Sequence, residues 1–255
     1  MTELLTLAEQ AVIERYKLLE VPHECGELRR FYDPRSTVYF RLIKGGEFLF
    51  GFDDLQLDFL KKNSELGYTH FSKFHQARPI QLASFFLSET PLLECHLVHA
   101  SSSNFGNKNR SIVAYANNET FFGYMKIFGY DLPTEEQIEY MMKLGYPNLF
   151  AWGNTVDDFD LIDPWMVETK SGEYKKDRFG FSGHYYPSLT RSKYNYADIR
   201  EEGAERGLVT KAGGTILWPW QWEEYVDCLP SYYSSSRELD DIVTARAALT
   251  VDQIS

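Results

Sequence analysis

The sequence predicts an α+β fold: antiparallel strands, two central helices, long irregular loops and an added N-terminal helix. Three observations lead there. Short segments rich in β-branched and aromatic residues sit near both ends of the chain, as in Thr37 to Leu42 and Ile242 to Val251. Two helices with clear start signals occupy the middle, before Phe128 and after Thr134. Between Trp152 and Arg206 the chain carries Gly, Pro, Asp, Tyr and Ser without sustained periodicity, and long loops of this kind are often functional.

The first element is a helix over Thr6 to Leu19, with Leu7, Ala11, Val12, Tyr16 and Leu19 at the spacing of one packed face. Pro22 and Gly26 end it. Thr37 to Leu42 and Glu47 to Phe52 then read as two strands of a hairpin, with Lys44-Gly45-Gly46 as its turn. Arg78 to Phe86, RPIQLASFF, alternates as one further strand, and Leu87 to His99 then turns into a helix. Asn117 is placed to cap a helix whose Phe121, Tyr124, Met125 and Phe128 share a face, with Gly129 at its C-terminus. Thr134 and Gln137 form the T-x-x-Q capping box of the next helix, where Ile138, Met141 and Met142 supply the buried stripe and Gly145 the stop. Leu208 to Trp218 is a strand around a Gly213-Gly214 bulge, and Ile242 to Val251 is the last strand.

The 255 residues are read as one domain, with 1–22 as the N-terminal helix extension and 37–251 as the main body. Apolar residues at 44% and aromatics at 16% suffice for a sizeable core. The net charge of -11 is distributed along the chain, which argues against a nucleic-acid partner; the basic runs Lys175-Lys176 and Arg29-Arg30 read as exposed loop charges. The N-terminus lacks the pattern of an export signal, and no apolar run reaches the roughly 20 residues of a membrane span, so a cytoplasmic protein without membrane contact is expected. Cys25, Cys95 and Cys228 are widely spaced and form no CxxC pair, so they read as buried thiols.

Four blocks resemble the formylglycine-generating enzyme and sulfatase-modifying-factor family, whose fold is a variant of the C-type lectin fold. They are EFLFGF, RPIQLASFFLSETPLLECHLV, LPTEEQIEYMM with LFAWGN, and VTKAGGTILW with SSSRE and IVTARAALTV, in the family's order over about residues 45 to 251. The resemblance implies a C-type lectin-like domain. The departures imply lost chemistry. The family's oxidase holds copper on two cysteines near the Gly-Gly strand, whereas Gly213-Gly214-Thr215-Ile216-Leu217 leads here to Trp218, Trp220 and Trp222, with no thiol before Cys228. The calcium-holding Gly-Asn-x-Trp-Glu-Trp segment is not recognisable; the nearest stretch is Phe179 to Tyr186. The His-x-x-x-His-x-Glu motif of the family's iron-dependent branch is absent. His96 with His99, and His70 with His75, lack a carboxylate at facial-triad spacing and read as structural or surface residues.

No cofactor is therefore expected, since copper, iron and calcium all lack a recognisable ligand motif. No catalytic residue is assigned. The candidate ligand-binding residues are His184, Tyr185, Tyr186, Trp218, Trp220, Trp222, Glu223, Tyr232, Tyr233 and Arg237, an aromatic and polar set suited to a peptide, protein or small ligand. The competing reading of Trp218 to Trp222 is a strand and turn that fills the core. Arg237 and Arg246 have Glu238, Asp240 and Asp241 nearby as internal partners. The acidic stretch Asp157 to Asp163 lacks EF-hand spacing and reads as a solvated loop, and Ser234 to Ser236 has no nucleophile elbow. The expected protein is a divergent, non-catalytic family member. Two alternatives stand beside it: a metal-dependent oxidase or oxygenase using His184, and an accessory subunit whose N-terminal helix docks on a partner or forms an oligomer.

Overall fold

A computed structural model describes residues 4–22, 26–56, 58, 77–100, 118–143, 179–181, 188–191, 209–212, 234–235 and 244–251. Helix α1 spans Leu7–Tyr16, α2 Glu94–Ala100, α3 Asn118–Phe128 and α4 Glu135–Lys143. The strands are β1 Leu19–Val21, β2 Arg30–Asp33, β3 Val38–Ile43, β4 Gly46–Phe50, β5 Arg78–Leu82, β6 Phe85–Ser88, β7 Ser188–Arg191, β8 Val209–Ala212, β9 Ser234–Ser235, β10 Thr244–Ala245 and β11 Ala248–Thr250. They form a five-stranded sheet in the order β1-β2-β3-β6-β11, a four-stranded sheet β10-β7-β8-β9 and a ribbon β4-β5. All pairs are antiparallel except β10 with β7. The chain is thus mixed α and β with mainly antiparallel sheets.

The middle of the five-stranded sheet, around β6, is buried on both faces, and the two-residue period of the strands sends alternate side chains to each. Phe31, Phe40, Leu42, Phe86 and Leu249 turn to one side, where Val12 of α1 and Phe121, Tyr124, Met125 and Phe128 of α3 meet them. Ile43, Phe85, Leu87 and Ala248 turn to the other, against Ile138 and Met141 of α4 and against Phe181. Each such Phe or Leu contributes about 1.5–3 kcal/mol by leaving water. Burial on both sides explains why Phe85-Phe86-Leu87 is an uninterrupted apolar run.

Helix α4 starts with the capping box that the sequence predicts. Gln137 N–H donates to Thr134 Oγ1 at 3.2 Å and Thr134 N–H to Gln137 Oε1 at 2.9 Å. Gly129 follows α3 with a φ of +73°, a left-handed conformation suited to glycine. Asn117, Gly145 and the Met142 side chain lie outside the described residues.

Several expectations need correction. The first helix stops at Tyr16, because Lys17 adopts a left-handed conformation at φ +54° and its N–H bonds back to Glu14 O. Leu19 then lies on β1, paired with Tyr32, and Leu7 and Leu19 are 76% and 53% exposed, so neither belongs to the buried face. Lys44-Gly45-Gly46 is not a hairpin turn: β3 pairs with β2 and β6, and β4 pairs with β5. Gly45 instead crosses the chain between β5 and β6, where an added Cβ would lie 2.6 Å from Ser84 N and 2.7 Å from Ala83 C. Glycine was needed there for close approach of two backbones, which leaves the same mark in a sequence as a turn.

RPIQLASFF is two strands, β5 in the ribbon and β6 in the large sheet, divided at Ala83-Ser84. The last expected strand likewise divides into β10 and β11, which belong to different sheets. Arg246 stands at that division, buried, with Nη1 donating to Ser88 O at 2.9 Å. Arg29 and Arg30 are not free loop charges. Arg29 pairs with Glu20 at 2.6 Å, and Arg30 lies on β2 with Nε 2.7 Å from Glu89 Oε1.

Candidate ligand-binding face

His184, Tyr185, Tyr186, Trp218, Trp220, Trp222, Glu223, Tyr232, Tyr233 and Arg237 all lie outside the described residues. The strands that flank them are described, and their register is informative. Ser188, at the start of β7, pairs with Ala212, at the finish of β8. Ser234, at the start of β9, pairs with Lys211, next to that finish. Thr244, at the start of β10, pairs with Ser188. One end of the four-stranded sheet thus gathers the start of β7, the finish of β8 and the starts of β9 and β10. The chain carrying His184–Tyr186 joins the sheet at this end, the chain leading to Trp218 leaves it here, and the chain carrying Tyr232–Tyr233 joins it here. Arg237 belongs to the connection that leaves β9 at the other end and returns to Thr244.

Helix α4 supports this sheet, lying against β7 and β8 as well as the ribbon strand β4. A buried ion pair locks it in place. Lys143 Nζ is 2.6 Å from Glu139 Oε1, one helical turn away, with both side chains fully buried. Each partner also takes one side of the same residue: Lys143 donates to Gly51 O at 2.7 Å, and Gly51 N–H donates to Glu139 Oε1 at 2.7 Å. Gly51 presents both groups because its φ is +96°. The ammonium also faces the Phe52 ring at 4.8 Å.

Helix α4 also receives Phe179–Phe181. Phe181 is fully buried in the cluster with Ile138 and Met141. Gly180 lies against the guanidinium of Arg41, whose Nε is 2.6 Å from Glu89 Oε1 and whose Nη1 donates to Leu28 O at 2.8 Å.

A second polar centre lies on the other face of the large sheet. Tyr130 donates its hydroxyl to Asp33 Oδ2 at 2.5 Å and is 2.6 Å from Ser36 Oγ. Arg35 closes on the same carboxylate, with Nη2 2.5 Å from Oδ2. Burial pushes the Tyr130 phenol above its ordinary value of 10.0, and the hydrogen bond to Asp33 adds to the shift; burial also raises Tyr124. Tyr16, Phe40, Tyr124 and Phe128 surround the Tyr130 ring. This arrangement is a rigid lock between the β2–β3 turn and the segment after α3.

The remaining candidates divide between core roles and undescribed chain. His96 is buried and its Nδ1 accepts the Leu93 N–H at 3.0 Å, a local structural role. Cys95 is half-buried and in no disulfide. His70, His75, Cys25, Cys228 and the acidic stretch Asp157 to Asp163 lie outside the described residues, as does the His99 side chain. Among the described residues no group of three His, Cys, Asp or Glu could hold a metal ion, and no helix is long and apolar enough to cross a membrane. The Glu89 centre went unseen in the sequence because Arg30 and Glu89 are 59 residues apart. Glu139 and Lys143, at i and i+4, left a visible signal that exposed pairs share.

No protein-family profile matches the chain, and no curated protein matches it in sequence. Among solved structures it is similar to Treponema denticola variable protein 1, at 10% identity, over 91% of this chain and 99% of that one, with a TM-score of 0.54. At that identity the likeness is one of fold alone.

Proposed function

We propose that the chain is a divergent, non-catalytic relative of the formylglycine-generating enzymes, built on a C-type lectin-like scaffold, that binds a peptide, protein or small ligand. The observation that carries this reading is the convergence of four strand ends at one end of the β10-β7-β8-β9 sheet. Three of the adjoining stretches bear His184–Tyr186, Trp218–Glu223 and Tyr232–Tyr233. Aromatic side chains gathered from several loops over a rigid sheet supply contact area at low entropic cost, which is how binding faces are commonly made. Helix α4, which the Glu139–Lys143 pair ties to Gly51, lies against β7 and β8, and such a backing suits a preorganised face. Family membership and the lectin-like assignment rest on the sequence blocks quoted above.

All five tryptophans lie at Trp152 or beyond, so tryptophan emission reports on the part of the chain that carries the candidate residues. The test is a titration of the full chain against a panel of soluble oligosaccharides and extended peptides, read by that emission. A saturable change with one class, lost in Trp220→Ala and in Tyr233→Ala while the unfolding midpoint stays put, supports the reading. Saturable binding that survives both substitutions would place the ligand elsewhere and sink it. Metal analysis of protein purified without chelator addresses the oxidase alternative: stoichiometric copper or iron lost in His184→Ala would displace the binding reading.

A further inference from the structure

We propose that the junction between the end of α1 and the β2–β3 turn binds a compact dianionic group, the phosphate or sulfate ester of a small ligand, through Arg15, Arg35 and Lys17. The site lies on the side of the large sheet away from α4 and does not depend on the binding reading above. It is built around one ring. Tyr16, the last residue of α1, is half-buried against the core, and its hydroxyl donates to Gly129 O at 2.7 Å, which fixes the ring to the segment after α3. Two guanidiniums from different elements lie over that ring, Arg15 with Cζ 5.3 Å from its centre and Arg35 with Cζ 5.5 Å from it. Their mutual repulsion favours an anion that both can reach.

Arg35 is held ready for a ligand. Its Nε is 3.0 Å and its Nη2 2.5 Å from the carboxylate of Asp33, which is fully buried and also takes the Tyr130 hydroxyl. With 40% of its side chain exposed, Arg35 still presents N–H donors to solvent. Arg15 and Lys17 are exposed, and among the described residues neither has an acidic partner. Glu14 is the acid beside them in sequence, and helical spacing turns it about 100° away from Arg15. A cation in the last turn of a helix offsets the helix dipole, which accounts for Arg15 taken alone. It does not account for Arg35, which comes from the β2–β3 turn and shares the same ring. The net charge of -11 decides the size of the ligand. At physiological salt, charges more than about 8 Å apart are largely screened, so a compact anion answers to the three local cations, whereas a long polyanion would also meet acidic surface. A carboxylate, with a single charge, gains less from the same cations than a dianion does.

Amide chemical shifts of the full chain, followed by NMR at constant ionic strength and about pH 7.5, where phosphate is mostly dianionic, test this. Inorganic phosphate and inorganic sulfate are the probes, with acetate as the singly charged control. Saturable shifts confined to residues 14–18 and 33–37 are expected, with at least one dianion bound about tenfold more tightly than acetate; the tighter of the two names the ester. Arg15→Gln should weaken that binding about tenfold, the worth of a charge-assisted pair of hydrogen bonds. Lys17→Asn removes the ammonium, suits the left-handed backbone, and should weaken it about threefold. Both positions are exposed, an unchanged urea midpoint verifies the fold of each variant, and either variant alone suffices for the test. Shifts scattered over the surface, no saturation, a response to acetate equal to that of the dianions, or binding that survives both substitutions would overturn the proposal.

Discussion

Replacing Lys143 by Met tests the clamp between α4 and Gly51, because Met keeps most of the side-chain volume and removes the charge. Three consequences follow from the geometry. Glu139 loses its 2.6 Å partner in a fully buried place, Gly51 O loses its 2.7 Å donor, and the Phe52 ring loses the cation over its face. Breaking a buried ion pair from one side costs about 3–5 kcal/mol, since the other charge remains without compensation. Glu139→Gln should cost a similar amount, because it strands the ammonium while its amide oxygen can still accept the Gly51 N–H. The double variant removes both charges and is expected to lose only about 1–3 kcal/mol, the scale of one unsatisfied buried polar group. Urea unfolding of the four proteins, arranged as a double-mutant cycle, measures the coupling directly. Against a total stability of about 5–15 kcal/mol, each single loss should move the midpoint strongly. Single losses below about 1 kcal/mol, or strictly additive losses, would show that the pair is solvated in solution and would refute the reasoning.

Two further outcomes concern titration. Burial tends to raise the Glu9 carboxyl, but hydrogen bonds from Lys44, at 2.5 Å, and from the Thr6 N–H outweigh it, so its value lies below the ordinary 4.5. A carboxyl lowered by folding stabilises fully above its unfolded value and loses that contribution as pH falls through the folded one; the stability gap between wild type and Glu9→Gln should therefore narrow below about pH 4.5, and a gap independent of pH between 7 and 3 would count against the Glu9–Lys44 pairing. Tyr130 and Tyr124 behave in the opposite sense, since folding keeps their protons while the unfolded chain releases them near 10.0, so stability should fall as pH rises beyond that value. Tyr130→Phe should lose about 1.5–3 kcal/mol, the worth of a hydrogen bond to a charged group, and should flatten part of that alkaline decline; absorbance titration showing both phenols ionising before unfolding would contradict the burial argument.

The sequence by itself determined the local elements, because the forces that make them act over three or four residues. Thr134 with Gln137 and the glycine at 129 mark helix ends in a way no distant residue has to confirm, and Phe121, Tyr124, Met125 and Phe128 share a face by helical geometry alone. The tertiary structure decided which strands meet. Gly45 serves a backbone crossing that a turn signal cannot be told from, and the apolar run at Phe85–Leu87 faces two ways because it is the middle of a sheet covered on both sides.

For the candidate face, the chemistry of the loops was legible and its assembly was not. Trp218, Trp220 and Tyr232 announce an aromatic set, but β7 and β9 carry little periodicity, and only the pairing of Ser188 with Ala212 and of Ser234 with Lys211 sets their ends side by side. In the core, Arg41 is the sharpest case. In the sequence it is one charge in an apolar strand; its place in the core depends on Glu89 and Gly180, which folding alone brings to it, because a buried guanidinium is tolerable only where partners from elsewhere in the chain have already converged.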